Sequence, residues 1–415
     1  MNKTLIINYP TLTMGGIEVH LYKWMKYFSE KGVKVIWYAL PHAEETTDFS
    51  ELLQLNIEIK HVRKTIFGLQ YEELDEVDAD SVVMLSFDPL WYIAAEKIRC
   101  SGMARDFIHY MVLPHFKGAA YFPEENCLTE RARKNAWIFM RRKYEEWNRQ
   151  GCLKSFNEKQ YLACSEHYSL CPSQTNHIIP YVPDAIYSDA EVEERARIRA
   201  ERRSSEFQIL VCSRLDFPHK GYVLGMVDVF ESLRAIYPNV SLTIVGDGPS
   251  RQELEARVSA LSKNDREFVY LLGTLSPERL IEQFGKASVN PNLAGALRTG
   301  ATCGVPSLTM RHYTTCAECY GYYEDTKLGK ELRSDSGIGV KPFIEQLILM
   351  SSEEYVAHCV AAAKRAKEGY GNPDDLFEIS KDGKNVTANR DRRFGQYLLL
   401  CRSFSARVLG KNQFV

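Results

Sequence analysis

The feature that most constrains this chain is an alternation: short apolar strands take turns with amphipathic helices, and the series runs twice. "KTLIINYP" reads as a first strand and "TLTMGGIE" as a loop. A helix follows to about Ser29, with Val19, Tyr22, Met25 and Phe28 on one face. Gly32 stops it, and "VKVIWYAL" is the next strand. "SVVMLSF" and "FIHYMVL" read as further buried strands. Strands apolar on both faces, alternating with such helices, predict a parallel sheet covered on both sides.

The pattern breaks at 189–205. "DAEVEERARIRAERRSS" is densely charged with almost no apolar stripe, so it reads as a solvated surface helix between two domains. The alternation then restarts. "FQILVCS" is a strand, and Leu224, Val227, Phe230 and Leu233 mark the helix after it. "SLTIVGDGP", "FVYLLGTL", "SVNPNL" and "PSLTM" are strands, with helices between them. Ser276 reads as an N-cap with Pro277 as the first helical residue. The expectation is an α/β protein of two Rossmann-like domains, 1–188 and 206–375. An amphipathic helical segment, 376–415, packs on the body of the protein.

Composition narrows the function. The chain has 415 residues, 45% apolar and 26% charged, as in a soluble globular protein of two or three domains. With 52 basic and 54 acidic side chains the net charge is -2, which argues against nucleic acid as the main partner. Eleven cysteines, no signal peptide and no window of transmembrane length predict a cytoplasmic protein with reduced thiols. Cys316 and Cys319 form a CxxC, but without a second pair or nearby paired histidines they do not make a zinc site. No metal is expected.

Three loops carry the chemistry. They are Gly15-Gly16, Arg214 to Gly221, and Gly246-Asp247-Gly248-Pro249. Each follows a strand, and open parallel sheets bind ligands beyond the carboxyl ends of their strands. Glycine lets backbone approach a ligand, and helix N-termini suit phosphate. Arg214 and Lys220 add two full positive charges, costly beside a buried strand unless they meet an anion. Each loop alone is a weak signal. Their order and spacing together point to a diphosphate.

"GGIE", "SRLDFPHKG", "LTIVGDGPSRQELE" and "LLGTLSPERLIEQFGKASV" resemble the glycogen-synthase-like retaining glycosyltransferases (glycosyl transferases group 1) of GT-B fold. The resemblance is close over 208–287, weaker before, and faint after about Met310. It implies two Rossmann-like domains whose parallel sheets face each other across a cleft. It implies a nucleotide-diphospho-sugar donor, no cofactor, and a glycan or lipid-linked acceptor in surface polysaccharide synthesis. Donor diphosphate binding falls by resemblance on Arg214 and Lys220 with Gly15 and Gly16, and nucleotide binding on Gly246, Asp247, Gly248 and Thr299. No DxD motif stands at a strand end, and Asp88 is alone, which agrees with metal independence.

The family's Glu-x7-Glu pair is missing. Counting back from Gly304-Val305-Pro306, its second position is Thr299, and 291–304 holds no Glu. Thr299 is a neutral, shorter partner for a ribose, and the loss weakens donor binding by roughly 1.5–3 kcal/mol. Glu318 is a weaker candidate to supply a carboxylate from the next loop. A histidine contacting the transferred sugar is also common in the family. Here His109 and His115 are the catalytic candidates, beside the plain reading that a lone histidine is structural.

"RARKNAWIFMRRKYEEW" holds six basic residues and no acid from Arg131 to Lys143. The plain reading is a helix with Trp137, Met140, Tyr144 and Trp147 toward the core. The competing one is a peripheral contact, through Arg131–Trp147, with the inner face of a membrane rich in anionic lipid. Three functions remain open: an active glycosyltransferase, a catalytically degenerate GT-B protein acting as a binding or partner subunit, and a sugar-nucleotide epimerase, against which the motif order argues.

Overall fold

The computed structural model describes residues 2–12, 16–47, 49–65, 68–72, 79–96, 98, 106–113, 122–171, 177–183, 187–326, 337–368, 371–377 and 389–409. The chain divides into two compact units. Unit 1 is Met1–Val182 with Gly371–Val415, and unit 2 is Pro183–Tyr370.

Unit 1 is built on strands β1 (Lys3–Asn8), β2 (Lys34–Ala39), β3 (Ile57–Thr65), β4 (Gly68–Tyr71), β5 (Ser81–Ser86), β6 (Asp106–Leu113) and β7 (Leu153–Ser155). Their order in the sheet is β4-β3-β2-β1-β5-β6-β7. The central strands β1, β2 and β5 are buried almost throughout, as their unbroken apolar sequences require. Ile6 pairs with Ile36 on one side and Met84 on the other, all parallel. The expected all-parallel sheet needs one correction: β4 runs antiparallel to β3 at the edge. "IEIKHVRKT" escapes sequence reading because β3, next to the short edge strand β4, keeps a half-wet, mixed pattern rather than an apolar run.

The C-terminal residues belong to unit 1. Lys31 donates to Asp374 at 2.6 Å, and Phe28 meets Phe377 edge-on at 5.4 Å. The helix Asn389–Leu409 packs Phe394 on Phe139 at 4.7 Å, and its Arg402 pairs with Asp88. Asp391 receives Lys143 at 2.9 Å and pairs also with Arg142. These bonds consume two cations of the helix Glu130–Arg149, whose Met140, Tyr144 and Trp147 are buried in the core. Arg131, Lys134 and Arg141 remain exposed. No helix among the described residues is long and apolar enough to cross a membrane.

Unit 2 contains β8 (Phe207–Cys212), β9 (Val240–Val245), β10 (Val269–Gly273), β11 (Asn290–Asn292), β12 (Ser307–Met310), β13 (Glu318–Tyr322) and β14 (Ile338–Gly339). The orders β10-β9-β8 and β11-β12-β13-β14 meet through a parallel bridge between Ile209 and Val289. Strands β8 to β12 pair in parallel, so their carboxyl ends share one edge. β13 and β14 pair antiparallel.

The charged segment at 189–205 is not a solvated linker. It forms the helix Asp189–Arg202, capped by a Ser188–Glu191 box, inside unit 2. Arg199 is 2% exposed and donates to the carbonyls of Ala287 and Gly304, each at 2.7 Å, and of Phe284 at 3.2 Å. Arg202 donates to Gly285 and Lys286, and Arg203 to Leu347 and Met350. Three arginines thus take up carbonyls that the helices Pro277–Lys286, Ala294–Thr302 and Lys341–Leu349 leave open near their C-termini. The absence of an apolar stripe reflects this use of charge.

Candidate functional site: an anion loop at the carboxyl edge of unit 2

The carboxyl ends of β8, β9 and β11 bring together the loop 213–221, the turn 246–250 and the start of the helix Ala294–Thr302. β8 is buried to Val211, and the chain then leaves the sheet as a loop that bonds to itself. The Lys220 amide donates to the Asp216 carbonyl at 2.8 Å, and the Gly221 amide to Pro218 at 3.1 Å. Gly221 is the N-cap of the helix Tyr222–Arg234, and no side chain caps it. The Phe217–Pro218 peptide is cis.

The two cations differ from Arg199, Arg202 and Arg203, whose guanidinium groups are bonded to carbonyls. Arg214 is exposed, and among the described residues its guanidinium has no hydrogen bond or ion pair. Lys220 is half-buried and likewise without an ion-pair partner among the described residues. Burial holds its ammonium below the usual lysine range, and the charge of Asp216 works against that shift. A cation is being desolvated here without a carboxylate bonded to it.

The glycines of "GDG" serve the loop rather than an open floor. A Cβ on Gly246, whose φ is 132°, would sit 2.0 Å from the Ser213 carbonyl oxygen. One on Gly248 would sit 2.4 Å from that of Leu215. Backbone bonds from Leu215 to Asp247 and from Ser250 to Leu215, both 3.0 Å, lock turn and loop together. Asp247 is exposed, and its carboxylate accepts from the Gly248 amide at 2.7 Å and from Arg251 at 3.3 Å. The loop's other side docks on 313–317: the Tyr313 amide donates to His219 at 3.0 Å, and a Cβ on Gly221 would meet the Thr314 carbonyl oxygen at 2.7 Å. So the backbone carrying Arg214 and Lys220 is held on both sides.

Sequence reasoning missed Asn290 and Asn292. The Asn292 side chain accepts from the Cys212 amide at 2.7 Å and donates to the Leu210 carbonyl at 3.0 Å, joining the end of β8 to β11. Asn290 donates to Leu297 at 3.0 Å and Ser307 at 2.8 Å. Two asparagines at alternate positions of a short buried strand were the available signal. Tyr313, 68% exposed with φ 57° and its ring 4.8 Å from that of His219, was also unread.

The remaining expected residues are placed as follows. Thr299 is 6% exposed within the helix Ala294–Thr302. Glu318 is bound to Arg311 at 2.5 Å, which removes it as a spare carboxylate. Cys319 is buried in the core, which pushes its thiol up to about 11, while Cys316 is exposed. Gly16 opens the helix Gly16–Glu30 in unit 1 with open space where a side chain would stand. Gly15 and His115 lie outside the described residues. His109 requires a correction. It is 1% exposed, with Nε2 bonded to Ser86 Oγ at 2.7 Å and Nδ1 to Glu96 at 2.6 Å, under a stacked Tyr92 ring at 3.7 Å. Both ring nitrogens are engaged inside the sheet, so neither is offered to a ligand.

Among solved structures, the chain is similar to a glycosyltransferase from Rickettsia africae ESF-5, at 13% identity over 99% of this chain and 100% of that one, with a TM-score of 0.56. It is similar to the trehalose-6-phosphate synthase OtsA, at 12% identity over 91% and 97%, with a TM-score of 0.50. The fold is GT-B. WaaG, a glycosyltransferase involved in lipopolysaccharide biosynthesis, aligns at 18% identity over 92% and 100%, with a TM-score of 0.47. No protein-family model and no curated protein matches the sequence. At such identities the likeness reaches the fold, and function has to be argued from the site.

Proposed function

We propose that unit 2 binds a nucleoside-diphosphate sugar and that the protein is a glycosyltransferase, retaining and metal-independent, extending a glycan or lipid-linked acceptor in surface polysaccharide synthesis. The observation that carries this reading is Lys220: a desolvated ammonium with no ion-pair partner among the described residues, beside the unpaired Arg214, on a loop braced from two sides. Arg214 forks onto one phosphate and Lys220 meets the other as a point charge. In the transfer, the bond from the anomeric carbon to the diphosphate oxygen breaks and a bond to the acceptor oxygen forms. The acceptor hydroxyl's proton goes to the departing phosphate. Negative charge grows on that phosphate, and two preorganised cations stabilise it in place of a metal.

Calorimetry with a panel of nucleoside diphosphates and their sugars, with and without a chelator, tests the reading. Saturable binding that survives chelation and weakens in Arg214→Ala supports it. Unchanged affinity in Arg214→Ala, or a strict need for a divalent cation, overturns it.

Three observations favour a second reading, a GT-B protein that binds a nucleotide-sugar without transferring it. The stretch 291–304 offers no Glu, Thr299 is buried, and Glu318 is tied to Arg311. Donor binding without donor hydrolysis or transfer, over a panel of acceptors, would select that reading.

A further inference from the structure

Unit 1 carries a surface hollow of about 690 Å³, separate in the fold from the anion loop. That volume lies within the roughly 300–1,000 Å³ usual for small-molecule sites. Its floor is Glu124, 3% exposed, on the short turn Pro123–Asn126. The Glu124 carboxylate accepts from His167 Nε2 at 2.7 Å and from the Tyr168 hydroxyl at 3.0 Å. The Phe122 ring stacks on His167 at 3.8 Å and fixes it. The Tyr168 hydroxyl lies 3.0 Å from each carboxylate oxygen, so Glu124 is held at both of them.

One wall is the helix Glu130–Arg149, which presents Glu130, Lys134 and Trp137 on successive turns. Trp137 is half-buried: it packs against the core, lines the hollow and carries the Arg141 guanidinium over its ring at 5.6 Å. Glu130 and Lys134 stand at the spacing that favours an ion pair, yet neither has a bond to any described residue. Glu125 and Arg133 complete the rim, which carries two acids and two bases above the Glu124 carboxylate.

We propose that this hollow binds a neutral oligosaccharide. An indole wall suits the apolar C–H face of a sugar ring. Carboxylates and cations side by side suit hydroxyls, each of which both donates and accepts. A charged ligand would instead meet like charges on part of the rim. On the glycosyl-transfer reading, on which only this last step rests, the hollow holds a stretch of the acceptor glycan.

The test uses the full chain and four neutral trisaccharides: maltotriose, cellotriose, chitotriose and mannotriose. Trigalacturonate and the chitosan trimer serve as charged controls. At least one neutral trisaccharide is expected to bind saturably, with affinity about tenfold weaker in Trp137→Ala. Because removing Trp137 also opens the core, the exposed double variant Glu130→Gln/Lys134→Gln is measured in parallel. It is expected to weaken binding about threefold with an unchanged melting temperature. Absence of binding by all four, affinity unchanged in both variants, or preference for a charged trimer overturns the proposal. Nucleoside-diphosphate affinity is read on the same samples. Absence of nucleotide binding alone by the unmodified chain sinks the donor-site reading, and absence of trisaccharide binding alone by the unmodified chain sinks this one.

Discussion

Two arginine-bearing regions of unit 2, fifteen residues apart in sequence, use the same side chain in opposite ways. On the helix Asp189–Arg202, Arg199 is buried and bonded to carbonyls that helix ends would otherwise leave unpaired. On the loop after β8, Arg214 is exposed and its guanidinium is bonded to no described residue, and the desolvated Lys220 stands on the same loop. The first region is complete within the fold. The second has its backbone braced and its charges unmet. The comparison teaches that cationic sequence says little about role until the partners are known. A satisfied cation stabilises, and an unsatisfied, desolvated one waits for an anion. His109 is likewise complete within the fold, since Ser86 and Glu96 occupy both its nitrogens.

The comparison can be broken most directly by deletion at each place. Arg199→Ala should lower stability by roughly 3 kcal/mol or more in urea unfolding, because several buried carbonyls lose their donor. Equal stability in Arg199→Ala and Arg214→Ala would end the distinction. His109→Ala should cost roughly 2 kcal/mol, leaving Ser86 and Glu96 short of partners, with nucleotide affinity unchanged. A selective loss of nucleotide affinity would return His109 to the site.

Arg214→Ala should do the reverse. Stability should move by less than about 0.5 kcal/mol, while nucleoside-diphosphate affinity falls about tenfold or more. Lys220→Met sharpens the point through pH. The folded lysine is lowered from 10.5, so its charge opposes folding at pH values below the folded value. That opposition fades as pH climbs through the folded value toward 10.5, so wild-type stability should rise across this window relative to Lys220→Met. Diphosphate favours the ammonium, so wild-type affinity should fall across the same window. A pH series of unfolding and binding curves checks both signs, and parallel curves for wild type and variant would contradict them. The smallest effect is expected from Glu318→Gln. Its pair with Arg311 is partly exposed, so unfolding should shift by less than about 1 kcal/mol and nucleotide affinity should hold.

What the sequence by itself determined is the part that depends on local period and composition. Alternating apolar runs and amphipathic helices specified an α/β fold, because those patterns bury stably only as a helix-covered parallel sheet. The glycines of 246–248 and the cations of 214–220 could be placed at strand ends from their neighbours alone. What only the tertiary structure decided is which polar groups find partners. Arg199 is complete because carbonyls 88 and 105 residues later in the chain converge on it. His109 is closed off because Ser86 and Glu96 come from other elements of unit 1. Gly246 and Gly248 are required by the backbone of 213–215 rather than by open space. The short strands β4, β13 and β14 also escaped reading, since antiparallel pairing at or next to an edge leaves no apolar run to see. Hydrogen bonds between distant segments leave no period in a sequence, so whether a charge is satisfied or waiting becomes visible only when the chain has closed on itself.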